Sequence, residues 1–287
     1  MTLPKNEIVI SQIRFSYYRL GQGRTLFLIP AFHSDVNRFS SLLDILARYF
    51  TVYIPELPGI STISPLGHYQ HTAKNYALLL NKMIAKLGIE DYILSGFCLG
   101  AVIAVRLLQI TEKPPSHLMF FEAIYDADYI LLNTIDSLAI QTIKTFGPHN
   151  RLINSIIDSS LHSDKFLTLY FRLLYRHERH IDQVIPHQIK LTSQMNSRAW
   201  VELIYDIFSL HLKKENLIFN IPATLIYNIH DDILDTPKTI AGMKKTFPHS
   251  HVFNVNLTQH APSGPIDKAF VTRLISPLLP ILKSLSH

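Results

Sequence analysis

The stretch Asp91-Tyr92-Ile93-Leu94-Ser95-Gly96-Phe97-Cys98-Leu99-Gly100-Ala101-Val102-Ile103-Ala104 decides how the rest of this chain is read. Asp91 to Ser95 is a short apolar run of the kind that forms a strand buried on both faces, and Leu99 to Thr111 has the length and apolar content of a helix. Between them, Gly96 and Gly100 flank Cys98 at i−2 and i+2, in a chain that holds only 10 glycines and 1 cysteine. A turn this tight forces its central residue into strained backbone geometry, and a side chain at either flank would collide with the strand or the helix. The Cys98 sulfur would then project from a helix N-terminus, where the positive end of the dipole stabilises negative charge. The competing reading is a buried, inert cysteine in a core helix.

Working outward, strands and helices alternate. Glu7 to Ile10 and Ile13 to Leu20 read as strands, the second with Ile13, Phe15 and Tyr17 alternating against Arg14, Ser16 and Tyr18, and Gly21-Gln22-Gly23 turns the chain. Thr25 to Ile29 and Thr51 to Ile54 are buried-strand runs, with a helix expected between them from about Arg38 to Tyr49. Gln70 to Leu87 carries the i, i+3, i+4, i+7 stripe of an amphipathic helix, and Gly88 is placed to end it. His117 to Ala123 is a further strand. From Tyr125 to Glu215 the pattern is helical, with breaks expected at Gly147-Pro148 and Pro186. Strands return at Ala223 to Ile229 and His251 to Leu257, around a helix near Pro237 to Thr246, and Asp267 to Leu285 reads as a last helix. The expected class is α/β, a mostly parallel sheet covered by helices on both faces, with a core formed by residues 1–124 and 216–287 and a helical insertion over 125–215.

Composition excludes several classes. The chain has 287 residues, 47% hydrophobic and 17% charged, which rules out disorder and fibrous repeats. A single cysteine excludes an intrachain disulfide and a four-thiolate zinc site and favours a reducing compartment. Met1 to Ile10 lacks the apolar core of about 7–15 residues that a secretory signal needs. No apolar window reaches the roughly 20 residues of a bilayer span. A cytoplasmic protein is expected. The net charge is +5, with basic residues scattered rather than clustered, so no nucleic-acid partner is expected.

Gly96-Phe97-Cys98-Leu99-Gly100 resembles the nucleophile elbow of the α/β-hydrolase superfamily, with cysteine in place of the more usual serine. The loop Pro30-Ala31-Phe32-His33 is similar to the oxyanion loop of that family, which often begins His-Gly. Glu56-Leu57-Pro58-Gly59-Ile60-Ser61 is similar to its Asp-Leu-Pro-Gly-His-Gly-x-Ser stretch. The resemblance implies a chain order of nucleophile, acid and histidine. Cys98 would be the nucleophile. The acid would follow the strand Ala223 to Ile229, where the family spacing selects Asp231, with Asp232 a near rival and Asp235 a distant one; an ordinary turn or helix cap also accounts for these aspartates. The histidine would be His260, in Thr258-Gln259-His260-Ala261-Pro262. The oxyanion would be held by the backbone N–H groups of Phe32 and Leu99.

The same resemblance makes 125–215 a cap over the active site. Its Phe166, Leu169, Tyr170, Phe171, Leu173, Leu174 and Tyr175 suit an apolar acyl pocket or the cap's own core. No metal or other cofactor is expected, since His177-Glu178-Arg179-His180 offers only an i, i+3 imidazole pair. The implied activity is hydrolysis of an ester or thioester through an acyl-thioester enzyme, on a small-molecule or carrier-bound acyl substrate; the positive charge would suit an acidic carrier protein. Transfer of the acyl group to an amine, alcohol or thiol, and a non-catalytic binding protein, are the alternatives. Oligomeric state stays open.

Overall fold

The computed structural model describes residues 5–32, 36–60, 64–174, 181–257, 260 and 268–286. Eight strands form one sheet: β1 (Lys5–Ile10), β2 (Ile13–Leu20), β3 (Thr25–Ile29), β4 (Thr51–Pro55), β5 (Tyr92–Phe97), β6 (His117–Phe121), β7 (Ala223–Asn228) and β8 (Ser250–Val255). Their spatial order is β1-β2-β4-β3-β5-β6-β7-β8. β2 runs antiparallel to both β1 and β4, and every pair from β4 to β8 is parallel. The mostly parallel sheet expected from the alternating pattern is present.

Alternation along each central strand divides the core in two. Leu26 and Leu28 of β3, Ile93 of β5, Met119 and Phe121 of β6 and Ile226 of β7 pack on one face. Phe27, Ile29, Leu94, Phe120, Leu225 and Tyr227 pack on the other. Helix α1 (Ser40–Leu46) belongs to the first face; α2 (Ala73–Lys86) and α3 (Leu99–Leu108) cover the second. Tyr18 departs from the alternation read for β2: it is buried on the α1 side, because that end of the strand is covered on both faces.

Between β6 and β7 the described residues include five α-helices: α4 (Thr134–Phe146), α5 (Arg151–Leu161), α6 (Asp164–Leu174), α7 (Ile181–Ser193) and α8 (Ser197–Ile207). The two roots of this insertion are tied together. Asp126 and His211 form an isolated bridge, Ala127 N–H donates to the Leu210 carbonyl at 2.8 Å, and the fully buried Asp126 carboxylate lies 3.1 Å from His211 Nδ1 and 3.3 Å from Lys213 Nζ. Farther in, α8 presents two carboxylates to the start of α2: Glu202 accepts from His71 N–H at 2.6 Å and Asp206 from Ala73 N–H at 2.7 Å. The second satisfies a donor that a helix start leaves unpaired, and the first holds the residue before the N-cap.

Several expected boundaries move. The first helix is shorter than Arg38 to Tyr49, a 3-10 turn at Val36–Phe39 preceding α1. The break at Gly147-Pro148 is present, with Gly147 at φ 75° ending α4. Pro186 does not break the chain: α7 carries it in its second turn, forgoing one bond to the Asp182 carbonyl. The last helix is not continuous. It divides at Ser276-Pro277 into α10 (Lys268–Ile275) and α11 (Leu279–Leu285), preceded in sequence by α9 (Thr236–Thr246); Asp267 lies outside the described residues. No helix among the described residues is long and apolar enough to cross a membrane.

Candidate active site

In-register parallel pairing brings strand ends together. Ile29 pairs with Gly96, Phe97 with Phe121, Phe121 with Ile226, and Asn228 with Val255. The loops after β3, β5, β6, β7 and β8 therefore emerge side by side at the carboxyl edge, the edge at which open α/β sheets place their ligands.

Cys98 stands where β5 turns into α3, with φ 48° and ψ −111°, a conformation non-glycine residues rarely adopt. Its N–H donates to the Phe121 carbonyl at 2.9 Å, and its carbonyl accepts from Ala101 N–H at 3.1 Å, so the strain is held from both sides. A Cβ on Gly96 would come within 2.5 Å of the Ala101 nitrogen and the Gly100 carbonyl, and one on Gly100 would run into the carbonyl oxygens of Ile29 and Pro30. The two glycines are thus required by close backbone approach. At Gly100 that approach sets the Pro30–Phe32 loop against the start of α3. Half-buried Phe32 ends the described part of this loop, and Leu99 supplies the first N–H of α3, a group without an intrahelical acceptor. His33 lies outside the described residues, as does Ser61.

His260 is 8% exposed and meets Asp231 with its ring: Nδ1 lies 2.6 Å from Oδ2. Asp231 Oδ1 accepts from the N–H groups of Ile233 and Leu234, both at 2.8 Å. Asp232 takes a different atom of the same histidine, its Oδ1 accepting from His260 N–H at 2.8 Å. Asp235, the third aspartate of the run, caps α9 by accepting from Lys238 N–H. Asn228 stitches the two loops together, its Oδ1 accepting from His230 N–H at 3.1 Å and Leu257 N–H at 3.0 Å. The Cys98 side chain interacts electrostatically with the same imidazole, so Cys98, His260 and Asp231 lie together. The other residues of the His260 loop, Thr258, Gln259, Ala261 and Pro262, lie outside the described residues.

The charges follow. Burial pulls the His260 imidazole down, but the hydrogen bond to Asp231 and the interaction with Cys98 outweigh it and hold the ring well above its ordinary value. Burial pushes the Asp231 carboxyl up, but the hydrogen bond and charge of His260 outweigh it and hold the group below the usual range. Asp231 is therefore a carboxylate that accepts from Nδ1–H, and Nε2 remains to exchange a proton with sulfur.

The sequence reading missed Glu122. His117 to Ala123 reads as one strand, but β6 ends at Phe121, and Glu122 follows with φ 47° and its side chain buried behind Asp231. Its Oε1 accepts from Asn228 N–H at 2.7 Å. The one signal available was a lone acid inside an otherwise apolar run.

Glu122, Asp231 and His260 each place one ligating atom within 4.8 Å of the others, as do Asp126, Asp128 and His211. In the first set a cation would have to displace the 2.6 Å Asp231–His260 bond. In the second, the Lys213 ammonium already sits among the oxygens. His177-Glu178-Arg179-His180 lies outside the described residues. Of the apolar cap residues, Phe171 joins Leu167 and Ile185 in a small core, whereas Phe166, Leu169 and Leu173 are exposed. Helix α6 thus buries only one face of this group. Tyr170 packs beside that core; Tyr175 and the Leu174 side chain lie outside the description.

Solved structures share the fold over nearly the whole chain. The N-acyl homoserine lactonase AidH superimposes with a TM-score of 0.71 at 15% identity, covering 100% of this chain and 99% of that one. The chain has the α/β-hydrolase fold. A thermophilic esterase from Thermogutta terrifontis gives 0.65 at 16% identity, over 98% and 99% of the two chains, and the epoxide hydrolase CorEH 0.66 at 17%, over 99% and 98%. No family model matches the sequence, and no curated protein matches it. Within the α/β-hydrolase fold, Cys98 stands at the strand-to-helix elbow after β5, and Asp231 and His260 stand in the loops after β7 and β8.

Proposed function

We propose that this protein is an acyl hydrolase that cleaves an ester or thioester through Cys98, His260 and Asp231. The observation that carries the reading is the dyad at the elbow: a buried imidazole whose Nδ1 lies 2.6 Å from a buried carboxylate and whose charge interacts with Cys98, with the sulfur at a strained elbow. The lactonase and esterase among the structural neighbours support carboxylic ester chemistry.

The steps follow from the groups present. With the thiol proton held on His260 Nε2, Cys98 Sγ attacks the acyl carbonyl carbon, and the N–H groups of Phe32 and Leu99 hold the oxyanion that forms. The oxyanion collapses, the bond to the leaving alcohol or thiol breaks, and His260 returns its proton to that group. An acyl thioester on Cys98 remains. Water, deprotonated by His260, attacks it, releasing the acid and restoring the thiol. Asp231 keeps the ring in the tautomer that serves both steps. Residues 125–215 form the cap over the acyl group, the protein acts in the cytoplasm, and its substrate is a small molecule or an acyl group on a carrier protein. No metal or cofactor takes part.

A thioester also reacts with amines, alcohols and thiols, so acyl transfer uses the same enzyme intermediate. Incubation with a panel of activated esters and acyl thioesters, read by intact-protein mass spectrometry, should show an acyl adduct on Cys98 that Cys98→Ala lacks. Equal turnover by the wild type and Cys98→Ala would overturn the nucleophile assignment. Faster adduct decay with an added amine or thiol than in water alone would identify a transferase.

A further inference from the structure

The buried carboxyl of Glu122 has no part in the steps above, yet it faces Asp231 directly. Its Oε1 accepts one backbone N–H, from Asn228 at 2.7 Å, and its Oε2 meets no N–H or O–H donor. A carboxylate oxygen of Glu122 lies within 4.8 Å of one on Asp231 and of a ring nitrogen of His260. Two acceptors cannot bond unless one carries a proton. Asp231 has its charge compensated by the His260 ring and by two backbone N–H groups, whereas Glu122 has one N–H. A carboxylate offers about four acceptor sites. Ile233, Leu234 and His260 occupy three of those on Asp231, which leaves the fourth open to an O–H from Glu122.

We propose that Glu122 is a neutral carboxylic acid that donates its proton to Asp231 and fixes that carboxylate against His260, as a positioning residue whose ionisation ends activity at alkaline pH. The inference rests on the Cys98–His260–Asp231 reading above. Burial is the main cause that pushes the Glu122 carboxyl up, to about 9, with the Asp231 carboxylate adding to it and the His260 charge opposing it. The groups facing it are Asp231 on the loop after β7, His260 on the loop after β8 and Tyr227 on β7, with Cys98 reached through His260. Tyr227 stays neutral, pushed up by burial and by both carboxyls, and donates to the Ala123 carbonyl at 3.1 Å. Ionising Glu122 would put two like charges in a dry site. Asp231 would then swing from the imidazole.

Two variants and two readouts test this. Isotope-edited infrared spectra at pH 7 should show the C=O band of a neutral carboxyl that Glu122→Gln abolishes. This readout stands even if the substrate class is wrong. In kcat/KM against pH with an activated ester, Glu122→Ala should lose about 10-fold or more. Glu122→Gln, whose amide N–H can replace the carboxyl O–H toward Asp231, should recover most of that loss and should lack the alkaline fall seen in the wild type. Absence of the band, or a Glu122→Gln profile with the wild-type alkaline limb, would overturn the proposal. Inactivity of every form including the wild type, with the band present, would overturn the catalytic reading and leave the protonation of Glu122 established.

Discussion

Asp231 meets the His260 ring at 2.6 Å from a loop 29 residues earlier in the chain, while its neighbour Asp232 meets the same histidine only through the main chain. Adjacent aspartates that look equivalent in sequence thus hold different atoms. Asp231→Asn removes the acceptor that sets the imidazole tautomer and should lower kcat by roughly 10³-fold or more. Asp232→Asn keeps an oxygen for the backbone N–H and should cost less than about 10-fold. Steady-state kinetics on the two variants check the assignment, and a larger loss for Asp232→Asn would reverse it.

The strain at Cys98 predicts a stability gain from an inactive variant. A residue held at φ 48° and ψ −111° costs on the order of 1–3 kcal/mol, which glycine does not incur. Cys98→Gly should therefore unfold at higher urea than Cys98→Ala, by about 1 kcal/mol. Identical midpoints would show that the elbow is unstrained.

Gly100 tests the contact between the elbow and the Pro30–Phe32 loop. In Gly100→Ala the new methyl meets the carbonyl oxygens of Ile29 and Pro30, and only backbone movement makes room. A loss on the order of 2 kcal/mol in stability is expected, with a fall in kcat larger than the rise in KM, because the displaced loop carries the Phe32 N–H. An unchanged kcat with a folded protein would separate Phe32 from the oxyanion.

His71 gives the acid side of the stability profile. Burial pulls its imidazole down to about 4, the Glu202 charge opposing and Arg198 adding to the shift. The unfolded value is about 6.5, so between the two the unfolded chain binds the proton more readily and stability falls as pH drops. The slope should approach about 1.4 kcal/mol per pH unit in that window. His71→Asn, which keeps a donor toward the Tyr76 hydroxyl, should flatten it in urea midpoints measured from pH 7 to 4.5. A slope unaltered by the substitution would assign the proton elsewhere.

Legibility followed the range of the interaction. Strands β3, β4, β5 and β7 are apolar on both faces and readable as runs, because burial on two sides erases alternation. The Gly96-Cys98-Gly100 spacing is a local steric requirement, and so it is visible in five residues. Glu122 is not, because its meaning depends on β6 ending at Phe121 and on the registry that sets Asn228 and Asp231 beside it. The same holds for Asp231 over Asp232, which differ only in where a loop 29 residues away returns. Pro186 misled in the opposite sense: a strong local signal was overridden by the surrounding helix. The split of the last helix at Pro277 shows the local rule prevailing where Ile275 and Leu278 are already buried on either side.

The paired roots at Asp126 and His211 make the helical insertion a closed excursion from the sheet. Its ends meet whatever lies between them, and lengthening a closed loop costs only about 0.6 kcal/mol per doubling. The core can therefore accept an insertion of different size or shape with little change to the β6–β7 pairing that positions Glu122 and Asn228. The constraint on such exchange lies at the far end, where Glu202 and Asp206 hold the start of α2. Substrate range can diversify over α4 to α7 while the chemistry and α8 stay fixed.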